Sequence, residues 1–361
     1  MTNTIKSGVF TSWTQGSINA SVTIPGIGAT TVTVGAGSGA PFWTGSGLMA
    51  LGSTVSGNTV TYLSSPDAAN WTAQYTTLPN PLGAGYSMQV LNMASDGNGT
   101  IAAYGVDIGT TGSPATGQVF VAFADTATLT WQVSLLDAQQ SLLPPVAVSG
   151  GAPGHEYGVA YAYGRWYLGF QPSGSALTYV ESLNKGSSWQ ASGAASLVFL
   201  SNFKGDTLDR SARASSSDLT TWTAYQPSVN GTTYLQTSSN AISNSKAIVF
   251  APAGTQAVSN GGLTGLKTVV SVDGKTWSAG DINASATAAF TCDDRLFMLA
   301  SAPAAATAYV SDDGINWTQE TLPALNSGGN ENYLSGGCYP AAARAVVFTS
   351  GTSGNRVFYS D

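Results

Sequence analysis

The sequence predicts an all-β fold, namely a seven-bladed β-propeller of four-stranded antiparallel blades whose last blade is closed by the N- and C-terminal strands. Three observations predict it. A tryptophan-ended segment recurs along the chain, strand-like runs precede the copies, and one copy is divided between the two chain ends. We predict a single domain over residues 1–361, with a strand at about residues 7–16 completing the C-terminal blade.

Seven of the nine tryptophans end one kind of segment. A serine opens the segment, Asp or Asn follows two residues later, and the best copies carry a glycine before the tryptophan. The copies contain Ser65, Asp67 and Trp71; Asp125 and Trp131, in a degenerate copy; Ser182, Asn184, Gly186 and Trp189; Ser216, Asp218 and Trp222; Ser271, Asp273, Gly274 and Trp277; Ser311, Asp313, Gly314 and Trp317; and Ser360, Asp361 and Trp13. Because the last copy begins at one chain end and resumes at the other, we expect the ends to meet in a ring.

Strand-like runs stand before these segments in the order that a four-stranded blade needs. One run leads into the motif, as at 59–63 and 267–271, and another lies upstream of it, as at 47–51. Alternating apolar residues bounded by turn residues are typical of strands. The short interval between Trp189 and Trp222 predicts a blade with only three strands there.

These segments resemble Asp-box (BNR-type) repeats, and the copy at 182–189 follows the longer spacing of that family. In the family the motif lies between the two outer strands of a blade, where the Asp binds turn amides and the Trp packs between blades. Turn chemistry agrees, since Asp bonds its own backbone, Gly adopts positive φ and Trp buries a large apolar face. We therefore expect a structural role, neither catalytic nor metal-binding, for Asp67, Asp218, Asp273 and Asp313.

Charge is scarce: charged residues make up 9 % of the chain, apolar residues 43 %, and the net charge is −7. An acidic chain is a poor partner for nucleic acid, because such binding depends on counterion release by Lys and Arg. The sequence has no apolar run that spans a bilayer and no h-region of a signal peptide, so we expect no membrane partner and synthesis in the cytoplasm. Lacking a P-loop, a dinucleotide motif and a ligand cluster, it predicts no cofactor and no metal.

Asp-box propellers include sialidases, and a sialidase resemblance requires three arginines, a Tyr–Glu pair and an acid/base Asp. Arg165, Arg295 and Arg344 recur just before the second strand of their blades, which indicates a scaffold role. Glu181 and Glu320 fall in outer-strand regions. A general glycosidase needs two carboxylates facing each other across a cleft, and sequence alone pairs none.

Loop residues supply the remaining acids that can reach a propeller face, among them Glu156, Glu331, Asp293 and Asp294. We favour solvated loop acids for these, and a surface position for the lone His155, since no nucleophile signature accompanies it.

Trp43, beside an inner hairpin, is a candidate for stacking on a sugar, although core packing is favoured for it. Together with Glu156 and Glu331 it forms the candidate binding set. Cys292 and Cys338 fall near the first strands of the sixth and seventh blades, which are neighbours in a ring. Two buried thiols are the favoured interpretation, with a disulfide as the alternative.

We expect a non-enzymatic virion protein, such as a bacteriophage tail, fibre or head-decoration component, that uses the propeller for structure or receptor binding. Its partners would be other virion proteins and a cell-surface glycan, and its location the virion. This expectation rests on low charge, on wealth in Ala, Gly, Ser and Thr, and on the absence of a catalytic constellation. The alternatives are a glycan-binding, lectin-like propeller and an Asp-box glycoside hydrolase.

Overall fold

The chain is almost entirely β-structure. The computed structural model describes residues 12–34, 40–81, 83, 86–109, 116–135, 146–147, 158–170, 178–191, 200–203, 206–209, 214–218, 221–224, 228–229, 232–233, 240–251, 267–283, 286–301, 306–321, 332–351 and 354–360. Within these ranges the one helical element is a 3-10 turn at Pro340–Ala342. No helix among the described residues is long and apolar enough to cross a membrane.

The strands are short, mostly two to ten residues. The first half contains β1 (Trp13–Gln15), β2 (Ser17–Asn19), β3 (Ser21–Ile24), β4 (Gly28–Thr31), β5 (Phe42–Trp43), β6 (Leu48–Ser56), β7 (Thr59–Ser65), β8 (Asn70–Thr77), β9 (Tyr86–Ser95), β10 (Thr100–Gly109), β11 (Thr116–Asp125), β12 (Trp131–Leu135), β13 (Val146–Ala147), β14 (Gly158–Ala162), β15 (Arg165–Phe170), β16 (Thr178–Ser182) and β17 (Gln190–Ala191). The second half contains β18 (Leu200–Phe203), β19 (Asp206–Asp209), β20 (Ala214–Ser216), β21 (Thr223–Ala224), β22 (Ser228–Val229), β23 (Thr232–Thr233), β24 (Asn240–Ser243), β25 (Ile248–Ala251), β26 (Lys267–Ser271), β27 (Ser278–Asn283), β28 (Ala286–Cys292), β29 (Arg295–Ser301), β30 (Ala306–Ser311), β31 (Thr318–Thr321), β32 (Asn332–Tyr339), β33 (Arg344–Gly351) and β34 (Gly354–Ser360).

The described strands form seven sheets of four or five strands and two small hairpins, β3–β4 and β22–β23. We number the larger sheets in chain order: sheet I (β5–β8 with β2), sheet II (β9–β12 with β13), sheet III (β14–β17), sheet IV (β18–β21), sheet V (β24–β27), sheet VI (β28–β31) and sheet VII (β32–β34 with β1). Apart from the additions of β1, β2 and β13, each sheet is an antiparallel meander of consecutive strands, which short turns can connect.

The core lies between sheets rather than inside one. Alternate residues of a strand point to opposite faces, so one strand serves two interfaces. In β10, Ile101 and Ala103 pack into the cluster shared with sheet I, whereas Ala102 and Tyr104 pack into the cluster shared with sheet III. Burial on both faces explains the near-continuous apolar runs of the second and third strands.

Five such clusters join neighbouring sheets: I with II, II with III, V with VI, VI with VII, and VII with I. The last of these brings the end of the chain against its beginning, with Phe348 of β33 packed edge-on against Trp71 of β8 at a centroid distance of 4.8 Å. Meander sheets packed face to face in sequence order have the architecture of a β-propeller.

The two chain ends share a sheet. Strand β1 pairs antiparallel with β34, and Trp13 stands opposite Ser360. After Gly16 the chain crosses to sheet I, where β2 pairs in parallel with the outer strand β8. The N-terminal segment therefore binds the last sheet and the first sheet within seven residues, Trp13 to Asn19.

Two predictions made from the sequence are wrong, one about the cysteines and one about sheet IV. Cys292 and Cys338 are not two thiols but a disulfide with a Cα–Cα distance of 4.9 Å, which joins the inner strands of sheets VI and VII. Sheet IV has four strands rather than three, because strands of two to four residues fit into the short interval.

Candidate functional site

The Ser-x-Asp segments form the turns between the third and fourth strands of their sheets. In five copies the serine Oγ donates to the Asp or Asn Oδ1 at 2.9–3.2 Å. The same oxygen accepts backbone N–H groups two to four residues further on, such as those of Lys275 and Thr276 at Asp273. In the degenerate copy, Asp125 Oδ1 accepts the Ala127 N–H at 2.8 Å. The acidic residues of these segments are thus engaged in holding turns.

The turn hydrogen bonds also set the charge state of these carboxyls. At Asp273 the N–H groups of Thr276 and Lys275 lower the pKa well below its usual range. At Asp67 and Asp313 partial burial acts to raise the pKa, but the hydrogen bonds from Asn70 and Asn316 outweigh it, and the net pKa is lowered. These carboxylates are ionised and accept hydrogen bonds from backbone N–H groups, which leaves them little capacity for proton transfer.

The tryptophans of the segments pack beside the turns. Trp71 is 1 % exposed, and its Nε1 donates to the Ala68 carbonyl at 2.9 Å. Ala68 takes the place that Gly314 has in another copy, and both have a φ near +70°, the conformation for which glycine is favoured. Trp131 donates to Thr76 of the neighbouring sheet at 2.8 Å.

A cavity of about 260 Å³ opens on the outer half of sheet VI. Its size is near the lower end for small-ligand sites, which begin at about 300 Å³. Its lining residues are Arg295, Val310, Ser311, Asp312, Asp313, Asn316, Thr318 and Glu320. Three carboxyl groups and one guanidinium therefore meet in one small space.

Glu320 is the unusual group of this cavity. The Trp13 indole Nε1 donates to its Oε2 at 2.6 Å, across a sequence separation of 307 residues, and its Oε1 is buried with no hydrogen-bond partner among the described residues. Burial raises the pKa of Glu320, while the Trp13 hydrogen bond and the positive charge of Arg295 offset part of that rise. Glu320 therefore holds a proton to higher pH than an ordinary glutamate.

Asp312 has a different environment in the same cavity. Its Oδ1 lies 3.1 Å from Nε of Arg295, and its side chain is 57 % exposed. The cavity therefore holds one exposed carboxyl paired with Arg295 and one buried carboxyl bound by Trp13. Two carboxyls in such different surroundings are typical of acid/base sites.

A comparable ion pair lies in sheet III. Arg165 donates to Glu181 at 2.7 Å, and Gln190 donates to the same oxygen at 2.7 Å. Glu181 is nearly buried and fully engaged, and the pair ties adjacent strands. This agrees with the scaffold role expected for Arg165.

Of the three residues that the sequence singled out for binding, Trp43 alone lies among the described residues. Trp43 is half-buried and packs edge-on against Tyr339 at 5.3 Å, between sheets I and VII. Glu156, Glu331, His155 and Asp361 lie outside the described residues. Asp294 accepts the Ser245 N–H at 2.7 Å, so it links sheets VI and V. No metal-binding group of His, Cys, Asp or Glu is found in the described part of the chain.

Sequence reasoning missed Glu320, Asp312 and Arg295 as a site. Glu320 was placed correctly on an outer strand, but its environment depends on Trp13, which the fold brings from the opposite end of the chain. No local pattern around Glu320 carries this information.

No protein-family model matches the chain, and no curated protein matches it in sequence. Among solved structures, the Trypanosoma rangeli sialidase in complex with the inhibitor DANA is 11 % identical with a TM-score of 0.44, over 96 % of this chain and 59 % of the sialidase. This chain therefore spans less than two thirds of the length of that sialidase.

Two further structures cover most of both chains. The β-propeller domain of the Trilobed protease from Pyrococcus furiosus is 10 % identical with a TM-score of 0.49, over 90 % of this chain and 94 % of that chain. The α-L-arabinofuranosidase Arb93A from Fusarium graminearum, in complex with an iminosugar inhibitor, is 10 % identical with a TM-score of 0.42, over 90 % and 91 %. The similarity concerns the fold class, and no residue role is transferred from these proteins.

The prediction that the chain is not an enzyme is contradicted by these findings, because the sialidase and the arabinofuranosidase are enzymes. The prediction had a physical weakness as well. It rested on finding no catalytic constellation along the sequence, whereas the hydrogen bond from Trp13 to Glu320 joins residues that are 307 positions apart.

Proposed function

We propose that this chain is a glycoside hydrolase built on a seven-bladed propeller of Asp-box repeats, with its site in the cavity on sheet VI. One observation carries the proposal: the cavity brings together Glu320, a buried carboxyl whose pKa is raised, and Asp312, an exposed carboxyl paired with Arg295. Hydrolysis of a glycosidic bond needs one carboxylic acid to protonate the leaving oxygen and one carboxylate to act on the other side of the sugar.

In this proposal Glu320 is the general acid. Its Oε1 is buried and has no partner among the described residues, while Trp13 holds Oε2. The proton resides on Oε1, which has to become accessible when a sugar binds in the cavity. Asp312 is the carboxylate that activates water or attacks the sugar, and Arg295 fixes its position. The separation of the two carboxyls in the sugar complex decides whether the anomeric configuration is retained or inverted.

The test is release of reducing ends from a panel of glycosides by the purified protein and by Glu320→Gln. Glutamine keeps an acceptor for Trp13 but has no acidic proton, so we expect a loss in kcat of about 100-fold or more. The matched control is Gln319→Ala, the exposed neighbour whose side chain points to the other face of β31.

A Glu320→Gln variant that retains wild-type turnover overturns the proposal. So does a protein that binds sugars but releases no reducing ends from any of them. Thermal melting of all variants checks that lost turnover is not lost structure, because Glu320 also contacts the N-terminal strand.

Location in a virus particle, and contacts with virion proteins or a cell-surface glycan, stay predictions. We propose to test them separately, by co-sedimentation of the protein with particles. A glycan-cleaving propeller is compatible with such a location.

A further inference from the structure

Asn244 is an amide placed where two sheets meet. It follows β24 in the inner turn of sheet V and is 3 % exposed. Its Oδ1 accepts the N–H groups of Lys246 and Ala247, at 2.9 and 2.8 Å, which closes its own turn. A buried amide has two further donors to satisfy, and leaving them unpaired would be costly.

Both remaining donors bind the neighbouring sheet. Nδ2 of Asn244 donates to the backbone carbonyl of Asp294 at 2.8 Å and to that of Asp312 at 2.9 Å. Backbone carbonyls only accept, so the amide has one orientation that satisfies all four bonds. Asn244 therefore uses its full hydrogen-bonding capacity, half of it on sheet VI.

The two carbonyls belong to the two turns that form the ion pair of the cavity. Asp294 immediately precedes Arg295, and Asp312 is the residue to which Arg295 is paired. Ser245 adds contacts to the Asp294 carboxylate through its N–H and hydroxyl. By holding both backbones, Asn244 fixes the separation of the guanidinium and the carboxylate from outside the sheet that carries them.

We propose that Asn244 is a positioning residue for Asp312, acting through the Asp294 and Asp312 carbonyls; this inference rests on the proposed function. Asn244 touches no cavity-lining side chain by hydrogen bond in the contacts described. Its effect on turnover is therefore indirect and passes through Asp312.

The experiment is a double-mutant cycle on kcat/KM with Asn244→Asp and Asp312→Asn. Aspartate keeps the oxygen that closes the turn but replaces the two donors by an acceptor facing two carbonyls. We expect Asn244→Asp alone to lower kcat/KM about 10- to 100-fold, the range seen when an outer-shell partner is removed from a metal ligand. In the Asp312→Asn background it should cost less than about 3-fold more, since residues acting through one group are not additive.

The matched control is Thr291→Val. Thr291 Oγ1 donates to the Ser243 carbonyl at 2.9 Å, so this change also removes a hydrogen bond between sheets V and VI but leaves Asp312 untouched. We expect less than about a 3-fold change. If Asn244→Asp does not fold, as judged by melting and circular dichroism, Asn244→Ala takes its place in the cycle.

Additive losses in the cycle, or an equal loss in Thr291→Val, overturn the positioning role and leave the hydrolase proposal standing. A wild-type protein that cleaves no glycoside overturns the hydrolase proposal and this inference with it. Strong non-additivity with a silent control supports both.

Discussion

Asp107 is a carboxylate that the fold has closed off from water. It is fully buried in β10, and the side-chain amide of Asn80 lies beside it. Burial raises its pKa, and the nearby amide of Asn80 offsets only part of that rise. Because the unfolded chain returns this group to an ordinary aspartate, Asp107 links stability to pH.

The sign of this linkage gives a prediction. Since the folded pKa is raised, the contribution of Asp107 is fully present below its unfolded pKa and is lost as the pH rises through the folded pKa. Asp107→Asn cannot ionise, so we expect it to exceed the wild type in free energy of unfolding by about 1–3 kcal/mol at pH 8, with little difference near pH 4. Urea unfolding at both pH values measures this.

The control for that measurement is Asp125→Asn, an exposed turn residue in the same sheet. It makes the same exchange of a carboxyl for an amide at an exposed position, and so controls for the exchange itself. The opposite result would be a wild type that is more stable at pH 8 than at pH 4, with that gain missing in Asp107→Asn. It would show that Asp107 is ionised in the folded protein.

Individual residues were predictable where their environment is local. The Ser-x-Asp turns close within four residues, so Ser271 and Asp273 reveal their hydrogen bonds in the sequence itself. Glu320 and Asn244 were not predictable, because their partners come from other sheets.

The N-terminal segment from Trp13 to Asn19, which we call the clasp, pairs with two different sheets. Strand β1 extends sheet VII, β2 extends sheet I, and Gly16 lies between them with its N–H donating to the Val357 carbonyl at 2.9 Å. A Cβ at Gly16 would lie 2.4 Å from the Ala69 carbonyl oxygen and 2.9 Å from Val357 Cγ1. Only glycine fits this crossing without a shift of backbone.

We therefore predict that Gly16→Ala lowers the free energy of unfolding by about 1–3 kcal/mol, the cost of overpacking a tight contact. Gln15→Ala, an exposed neighbour on β1, is the control and should change it by less than about 0.5 kcal/mol. Thermal and urea melting measure both. Equal stability of the two variants would mean that the crossing has room for a methyl group.

Elements were predictable to the extent that they repeat. The strands before each Trp follow from apolar alternation, and β7 is found at Thr59–Ser65, around the run at 59–63. Strands β2, β3 and β4 belong to no repeat unit, and nothing in the periodicity marks them. The number of strands in sheet IV was underestimated, because the short interval between the tryptophans shortens the strands and leaves their number at four.

Several kinds of contact hold sheet VII in place. The β1–β34 pairing adds the N-terminal strand to it, an apolar cluster packs it against sheet I, and the Cys292–Cys338 disulfide joins it to sheet VI. The disulfide closes a loop with a sequence separation of 46 residues. Cross-linking such a loop stabilises the protein mainly by reducing the conformational freedom of the unfolded chain.

We predict that Cys292→Ser with Cys338→Ser loses roughly 2–4 kcal/mol of unfolding free energy relative to the oxidised protein. The reduced wild type should melt close to the double variant. If reduction with a thiol leaves the melting temperature unchanged, the disulfide does not stabilise the fold. Mass spectrometry of the protein before and after alkylation establishes which form is being melted.

The sequence predicts the architecture of the molecule better than it predicts the chemistry of the cavity. A divided repeat predicts neighbouring ends, and Trp13 does stand opposite Ser360. The cavity required three-dimensional packing, because its electrostatics arise from burial of Glu320 against a distant strand. The wrong prediction of a non-enzymatic protein follows from the same limit.

The clasp has a consequence for synthesis on the ribosome. Strand β1 is made before its partner β34, which follows roughly 20–70 s later at about 5–20 residues per second. Strand β2 meets β8 far sooner, since Ser17 pairs with Asn70. This early pairing holds β1 beside the place where sheet VII will assemble, and so shortens the search by which β34 finds it.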